Sequence, residues 1–221
     1  VLYLLVTITG LFVLMYLPPK LFVRGDAAAT LNRISTHQSL YQVYIVVQII
    51  SELLFISLVL VLYRLLKGVN QLQAALMVLF VLLPAPIAFA SQAFHVATLT
   101  FVRGDNLLAV FDGAQRDALS VLFLKLDDAG TIVSEVFWGL WLFPLATLIF
   151  RSRFLPRFLG VWLALNGVAY LVHSATSLTL PQLQGRVFTF LQPALFGEVA
   201  LMLWLLIRGV RVQPAPASLP G

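Results

Sequence analysis

The feature that most constrains this chain is how seldom a charge interrupts it. From about Leu40 to Tyr63 the only Asp, Glu, Lys or Arg is Glu52. Five other runs carry at most one such residue each: Val1 to Leu17, about Leu72 to Thr100, Gly130 to Phe150, Pro156 to Leu178 and Val187 to Ile207. Roughly 20 apolar residues cross the hydrocarbon core of a bilayer as a helix, whereas strands need about 9–11 and must close into a barrel. The lengths therefore point to an all-α integral membrane protein, a bundle of six transmembrane helices. Composition agrees. Of 221 residues 61% are hydrophobic and 10% charged, against about a quarter charged in soluble domains. A water-soluble globular domain, a disordered chain and a collagen-like repeat are excluded.

The expected organisation is one transmembrane domain over residues 1–211, then a short Pro-rich tail at 212–221 read as disordered and cytoplasmic. The first span begins abruptly, without a basic segment, so it reads as truncated at its start rather than as a signal peptide. Pro84 and Pro86 should kink the third span. The segment from Arg103 to Asp128 reads as a loop. Within it, Leu119, Leu122, Phe123 and Leu126 lie opposite Arg116, Asp117 and Ser120, which fits either an interfacial helix or an outward extension of the fourth span.

Charge position gives an orientation. Arg64, Lys67, Arg151, Arg153, Arg157, Arg208 and Arg211 occupy very short segments that contain no acid. The opposite side also holds seven basic residues, but in long loops with six aspartates. The positive-inside rule weights short loops, so the first set faces the cytoplasm, and both termini do as well if there are six spans. The formal charge of +5 is thus explained by helix-end anchors, and nothing suggests nucleic acid. The expected setting is the cytoplasmic membrane, and the bilayer is the first partner.

An internal regularity accompanies the spans. Phe-Val-Arg-Gly-Asp occurs at Phe22–Asp26 and again at Phe101–Asp105, each time after an outward-going helix. It reads as a helix-exit turn, with Gly permitting the turn and Asp capping the next segment, rather than as an adhesion motif. Glu52, Glu135 and Glu198 sit one per inward-going helix and precede Arg64, Arg151 and Arg208. Three related helical hairpins, with their carboxylates directed at one interior, would produce this pattern.

A glutamate in hydrocarbon costs several kcal/mol unless it is neutral, paired or hydrated, so these side chains should face the bundle interior. Gln48, Ser51 and Glu52 share one helical face, as do Ser91 and His95, and Asp128, Thr131 and Glu135. Asn166, Tyr170, His173 and Ser177 form another stripe. Glu52 and Glu198 fall near mid-membrane, and Glu135, His95 and His173 in the outer third. The expectation is a polar cavity that opens outward, with the glutamates as its floor and the two histidines at its rim. Its candidate ligand- or proton-binding residues are Glu52, Glu135, Glu198, His95, His173, Asp127, Asn166 and Gln48. The blander alternative is that the polar groups only bond one helix to another. His37, in an outer loop, reads as solvated.

His95, His173 and a carboxylate such as Glu135 or Asp127 could supply three ligands to a metal ion, leaving a fourth position for water. No H-x-x-x-H or H-E-x-x-H spacing supports this, and no other cofactor is expected. Cysteine is absent, which removes disulfides and thiolate sites. Phosphate loops, dinucleotide fingerprints and nucleophile elbows are absent too, and catalytic residues are not identifiable. Three functions remain open: a cavity that binds or moves a small or lipid-like molecule or protons, an intramembrane metal-dependent hydrolase, or an accessory subunit with membrane-protein partners. A homo-oligomer is compatible with each.

Several segments together resemble a known family. They are Pro-Pro-Lys-Leu-Phe-Val-Arg-Gly-Asp-Ala-Ala-Ala-Thr at 18–30, Phe-Trp-Gly-Leu-Trp-Leu-Phe-Pro-Leu at 137–145, Arg-Ser-Arg-Phe-Leu-Pro-Arg-Phe-Leu-Gly-Val at 151–161 and Gly-Glu-Val-Ala-Leu-Met-Leu-Trp-Leu-Leu-Ile-Arg-Gly-Val at 197–210. The chain is similar to prokaryotic membrane proteins of domain-of-unknown-function family 4386. The resemblance implies a single polytopic domain and carries no activity. It also implies a departure: members have His near the position of Asp127 and Asp near that of His173. That exchange suggests the two residues meet across spans four and five, and it weakens any mechanism requiring a particular ligand at either place.

Overall fold

Local sequence signals set the helix boundaries. The computed structural model describes residues 2–23, 25–104, 110–152 and 155–208, and among these every regular element is helical. Asp26 accepts a hydrogen bond from the Ala29 amide at 2.8 Å and starts α3 (Ala27–Thr36). Asn70 does the same for the Gln73 amide at 3.0 Å and starts α5 (Gln71–Leu82). Asp112 and Gln115 exchange side-chain and backbone bonds at the start of α7 (Gly113–Leu140), a reciprocal cap that satisfies two otherwise orphan amides. Both copies of the repeated pentapeptide place their glycine in the left-handed region, Gly25 at φ 76° and Gly104 at φ 70°. The repeat is a helix-exit turn, and only glycine adopts that conformation without strain. Arg24 and Asp105 of the two copies lie outside the described residues.

Among the described residues, five helical runs are long and apolar enough to cross a membrane. They are α4 (Gln38–Leu66), α5 continued by α6 (Ala85–Arg103), α7 continued by α8 (Leu142–Arg151), α9 (Arg157–Thr179), and a final run of 3-10 turn, α10 (Gln184–Leu195) and α11 (Gly197–Ile207). The third expected span breaks at Leu83–Pro84, at the prolines expected to kink it. A first continuous span is expected over residues 1–17, but residues 2–17 form an interrupted helix. In it α1 (Leu2–Leu11) passes into a π-helical stretch at Phe12–Tyr16, and α2 (Pro18–Leu21) comes next. A count of six spans is therefore not established, nor is an arrangement of three related hairpins. The fourth span also differs from expectation. Residues 113–128 are not loop but the first turns of α7, so this segment lengthens the span and is no separate interfacial helix. The tail at 212–221 lies outside the described residues.

Two apolar clusters pack the bundle. One joins the second half of α4 to α5, α8 and the start of α9, around Leu62, Met77, Leu145, Leu148 and Leu163. The other gathers Val13, Leu17, Leu21, Ile34, Tyr41 and Leu99 at the end where the long loops turn. Apolar residues such as Leu53, Val61, Leu79 and Val168 remain exposed on the outside, as lipid-facing positions should. Among the described glycines, the tightest approach to another helix's backbone joins α7 to α9. A Cβ on Gly139 would lie 2.8 Å from the Gly167 carbonyl oxygen, and one on Gly167 would lie 2.9 Å from that of Gly139. Small residues at such crossings let helices meet where lipid supplies no hydrophobic drive. This contact fixes the register of α7 against α9, and hence which polar side chains face one another.

Candidate functional site

Two cavities lie between the face of α4 that carries Gln48 and Glu52 and the face of α7 that ends in Trp138. The inner one has a volume of about 340 Å³. Gln48, Ser51, Glu52 and Phe55 of α4 form one wall, Trp138, Trp141 and Tyr170 another, and Glu198 with Met202 of α11 a third. The one nearer the long-loop end, called the outer cavity, measures about 330 Å³, is roofed by Pro18 and Phe22 and is lined by Tyr44, Gln92, Asp127, Asp128 and Thr131. Gln48, Glu52 and Trp138 line both. The two spaces thus share a wall, and Glu52 stands at the junction.

The carboxylates are held differently. The Asn166 side-chain amide on α9 donates to Glu198 at 3.3 Å, and Asn166 itself is fully buried. Glu52 has no hydrogen-bond or ion-pair partner among the described residues. Gln48 donates to the Tyr44 hydroxyl at 3.0 Å, one turn nearer the long-loop end. Ser51 donates to Thr9 of α1 at 3.3 Å, which closes that side of the inner cavity.

Each histidine pairs with an acid, in separate places. His95, 1% exposed, has Nδ1 at 2.7 Å from the Tyr41 hydroxyl and Nε2 at 3.3 Å from Asp127 Oδ2. The two approach without forming a hydrogen bond, and this buried nitrogen has no hydrogen-bond partner among the described residues. Phe22, Tyr41 and Tyr44 surround the imidazole with ring centroids 5.3 to 6.4 Å away. His173 Nδ1 sits 2.7 Å from Glu135 Oε2, beside the Gly139–Gly167 crossing, and Phe188 of α10 covers the ring edge-on at 5.4 Å.

Known proteins offer a relationship but no chemistry for these cavities. The family described as "Domain of unknown function (DUF4386)" matches residues 1–209. The chain belongs to this family. It is also 25% identical over 161 residues to an uncharacterized protein of Archaeoglobus fulgidus, covering 73% of this chain and 80% of that one. No solved structure matches the chain. Family membership thus extends over both cavities and both histidine pairs, and brings no activity with it.

The structure collects some of the sequence candidates and separates others. Gln48, Glu52 and Glu198 line the inner cavity, and Asp127 the outer one with Gln48 and Glu52. Asn166 supports Glu198 from behind. Glu135 does not join the other two glutamates, because α7 turns it toward His173 while Asp128, Thr131 and Ser134 take the cavity face. The histidines do not sit at a rim, since both are buried behind acids. Asp127 and His173 do not meet either; each has a different partner. Consequently His95, His173 and Glu135 form no common ligand set, and no group of three His, Cys, Asp or Glu that could hold a metal occurs among the described residues. His37 is exposed, as a solvated residue would be.

Tyr41, Tyr44, Phe55 and Trp138 do not stand out in the sequence. A signal exists for the tyrosines. Tyr41, Tyr44, Gln48 and Ser51 succeed one another at spacings of three and four, so the polar face of α4 continues about two turns beyond Gln48. Phe55 and Trp138 carry no such mark, since aromatic residues abound in the apolar runs around them.

Proposed function

We propose that this family member is a multi-pass protein of the cytoplasmic membrane whose joined cavities bind, and move, a small or lipid-like molecule or protons. One observation carries the reading: Glu52 stands where the two cavities meet, with Asp127 and Asp128 on one side and Glu198 on the other. Ionisable side chains inside spans mark substrate or proton pathways, because their cost in hydrocarbon is otherwise unrewarded. A volume of about 340 Å³ falls in the range of small-molecule sites, about 300–1,000 Å³. Residues 2–21 make the sixth crossing in this reading. Arg64, Lys67, Arg151, Arg157 and Arg208 mark the cytoplasmic end by the positive-inside rule, so the outer cavity opens away from the cytoplasm and both termini lie inside.

The test is to purify the full chain in native lipid and determine bound metals, small molecules and lipids by mass spectrometry. A stoichiometric ligand held by the wild type and released by Glu52→Gln and Glu198→Gln is the expected result. An empty protein whose two variants match it in stability and in every binding signal would reduce the polar groups to interhelical glue.

A further inference from the structure

We infer that the inner cavity takes an ammonium cation carrying an apolar body, which rests on the binding reading above and narrows it to a substrate class. Three observations converge. The first is charge: the described residues lining the two cavities include Glu52, Glu198, Asp127 and Asp128 but no Lys, Arg or His. With low-dielectric walls, a one-signed lining concentrates the opposite charge and excludes anions. The second is the state of Glu52. An ionisable group within a span ordinarily has a partner, and this one has none among the described residues although it faces both cavities. The missing partner is supplied by what enters.

The third observation is the wall itself. Phe55 of α4 and Trp141 stand edge-to-face at 5.4 Å and 90°, and Trp138 and Tyr170 at 6.1 Å and 73°. All four side chains line the inner cavity. The face of an aromatic ring is its negative part and attracts a cation, most strongly when the pair is desolvated. Leu58, Leu145 and Leu201 complete the lining with hydrocarbon, which suits an apolar body rather than a bare metal ion. Carboxylates and aromatic faces together therefore select a substituted ammonium. The same chemistry is presented by a free amine and by an ammonium-bearing lipid headgroup.

The probe is benzyltrimethylammonium, titrated against the full chain in nanodiscs of phosphatidylglycerol, which carries no ammonium. Two of the four tryptophans line the cavity, so binding is read by tryptophan fluorescence and checked by calorimetry. Its neutral isostere neopentylbenzene and the anion phenylmethanesulfonate are run alongside. The expected result is saturable binding of the cation at least about tenfold tighter than either control, a discrimination of about 1.4 kcal/mol. Glu52→Gln and Trp138→Leu should each weaken it about tenfold or more, and Glu135→Gln, away from the cavity, should not. Replacing half the lipid by phosphatidylethanolamine separates the sources: weaker apparent binding assigns the site to a headgroup, unchanged binding to a free amine. Equal binding of cation and isostere overturns the cation assignment while leaving a binding cavity. Failure of all three probes to bind, in wild type and Glu135→Gln alike, overturns the cation assignment too, and an empty protein in the preceding mass-spectrometric test would then take the binding reading with it.

Discussion

His95 with Asp127 and His173 with Glu135 are the same chemistry in two settings. Both couple an imidazole on one helix to a carboxylate on α7, and both histidines are buried. The Glu135 pair is short, 2.7 Å, and closed off: side chains are 9% and 13% exposed, Phe188 covers the ring, and neither residue lines the inner or the outer cavity. The Asp127 pair is longer, 3.3 Å, and its carboxylate, 21% exposed, belongs to the outer cavity. A closed pair holds helices together. An open pair presents a carboxylate whose second side is free for something else, with a histidine fixed behind it by Tyr41. The difference separates clasp from site, although residue type alone makes the two look alike.

The sharpest way to break that comparison is to remove one partner from each pair. His173→Ala leaves Glu135 as an uncompensated carboxylate between α7 and α9, and stranding a buried charge costs on the order of 3 kcal/mol. Asp127→Ala leaves His95 still bonded to Tyr41 and removes a carboxylate that already reaches a polar cavity, so its loss should stay under about 1 kcal/mol, as for a partly exposed pair. Reversible unfolding of both variants in bicelles measures the gap. Equal losses would mean that the distinction between closed and open pairs has no energetic content.

A somewhat smaller effect tests what aligns the closed pair. A Cβ at Gly167 meets backbone, the Gly139 carbonyl oxygen at 2.9 Å, rather than a side chain that could swing away. Gly167→Ala should therefore push α9 from α7 and cost roughly 1–3 kcal/mol, the usual penalty for overpacking. Thermal unfolding in detergent reads the loss. Gly10→Ala, where a Cβ meets nothing within 4 Å, should be nearly silent. If the two variants behave alike, the crossing is looser than its geometry implies.

Signals that act locally are legible in the chain, and signals that need two helices are not. Span positions for α4 and α9, the break at Pro84 and the paired turns at Gly25 and Gly104 belong to the first kind, because hydrophobic run length, proline and the repeated Arg-Gly-Asp act where they stand. The polar face of Gln48, Ser51 and Glu52 is legible through helical spacing, and all three line the inner cavity. Their partners are not. Spacing places Glu135 with Asp128 and Thr131, but α9 packs on α7 at the Gly139–Gly167 contact, about one turn from Glu135, and covers Glu135 with His173. That is a two-helix property, and neither helix encodes it alone. The extension of α7 back to Gly113 is hidden for a different reason: Asp117, Lys125, Asp127 and Asp128 dilute its hydropathy, although the Asp112–Gln115 cap that starts it is visible in the sequence.

The mildest perturbation probes the open pair from behind. Tyr41→Phe removes the hydroxyl 2.7 Å from His95 Nδ1 and keeps the ring, which stacks against Tyr44 at 6.1 Å. A single hydrogen bond of this kind contributes about 1 kcal/mol net, so stability should fall by no more than that. The more telling change is in the imidazole. With the hydroxyl gone, Nδ1 loses the bond that sets the ring's tautomer, a change that nitrogen NMR of selectively labelled histidine resolves. The signal of His173, bonded to Glu135 and far from Tyr41 in sequence and partner, should not move. A Tyr41→Phe spectrum in which both histidines shift together would show that the two pairs communicate, and that closed and open are states of one network rather than two separate sites.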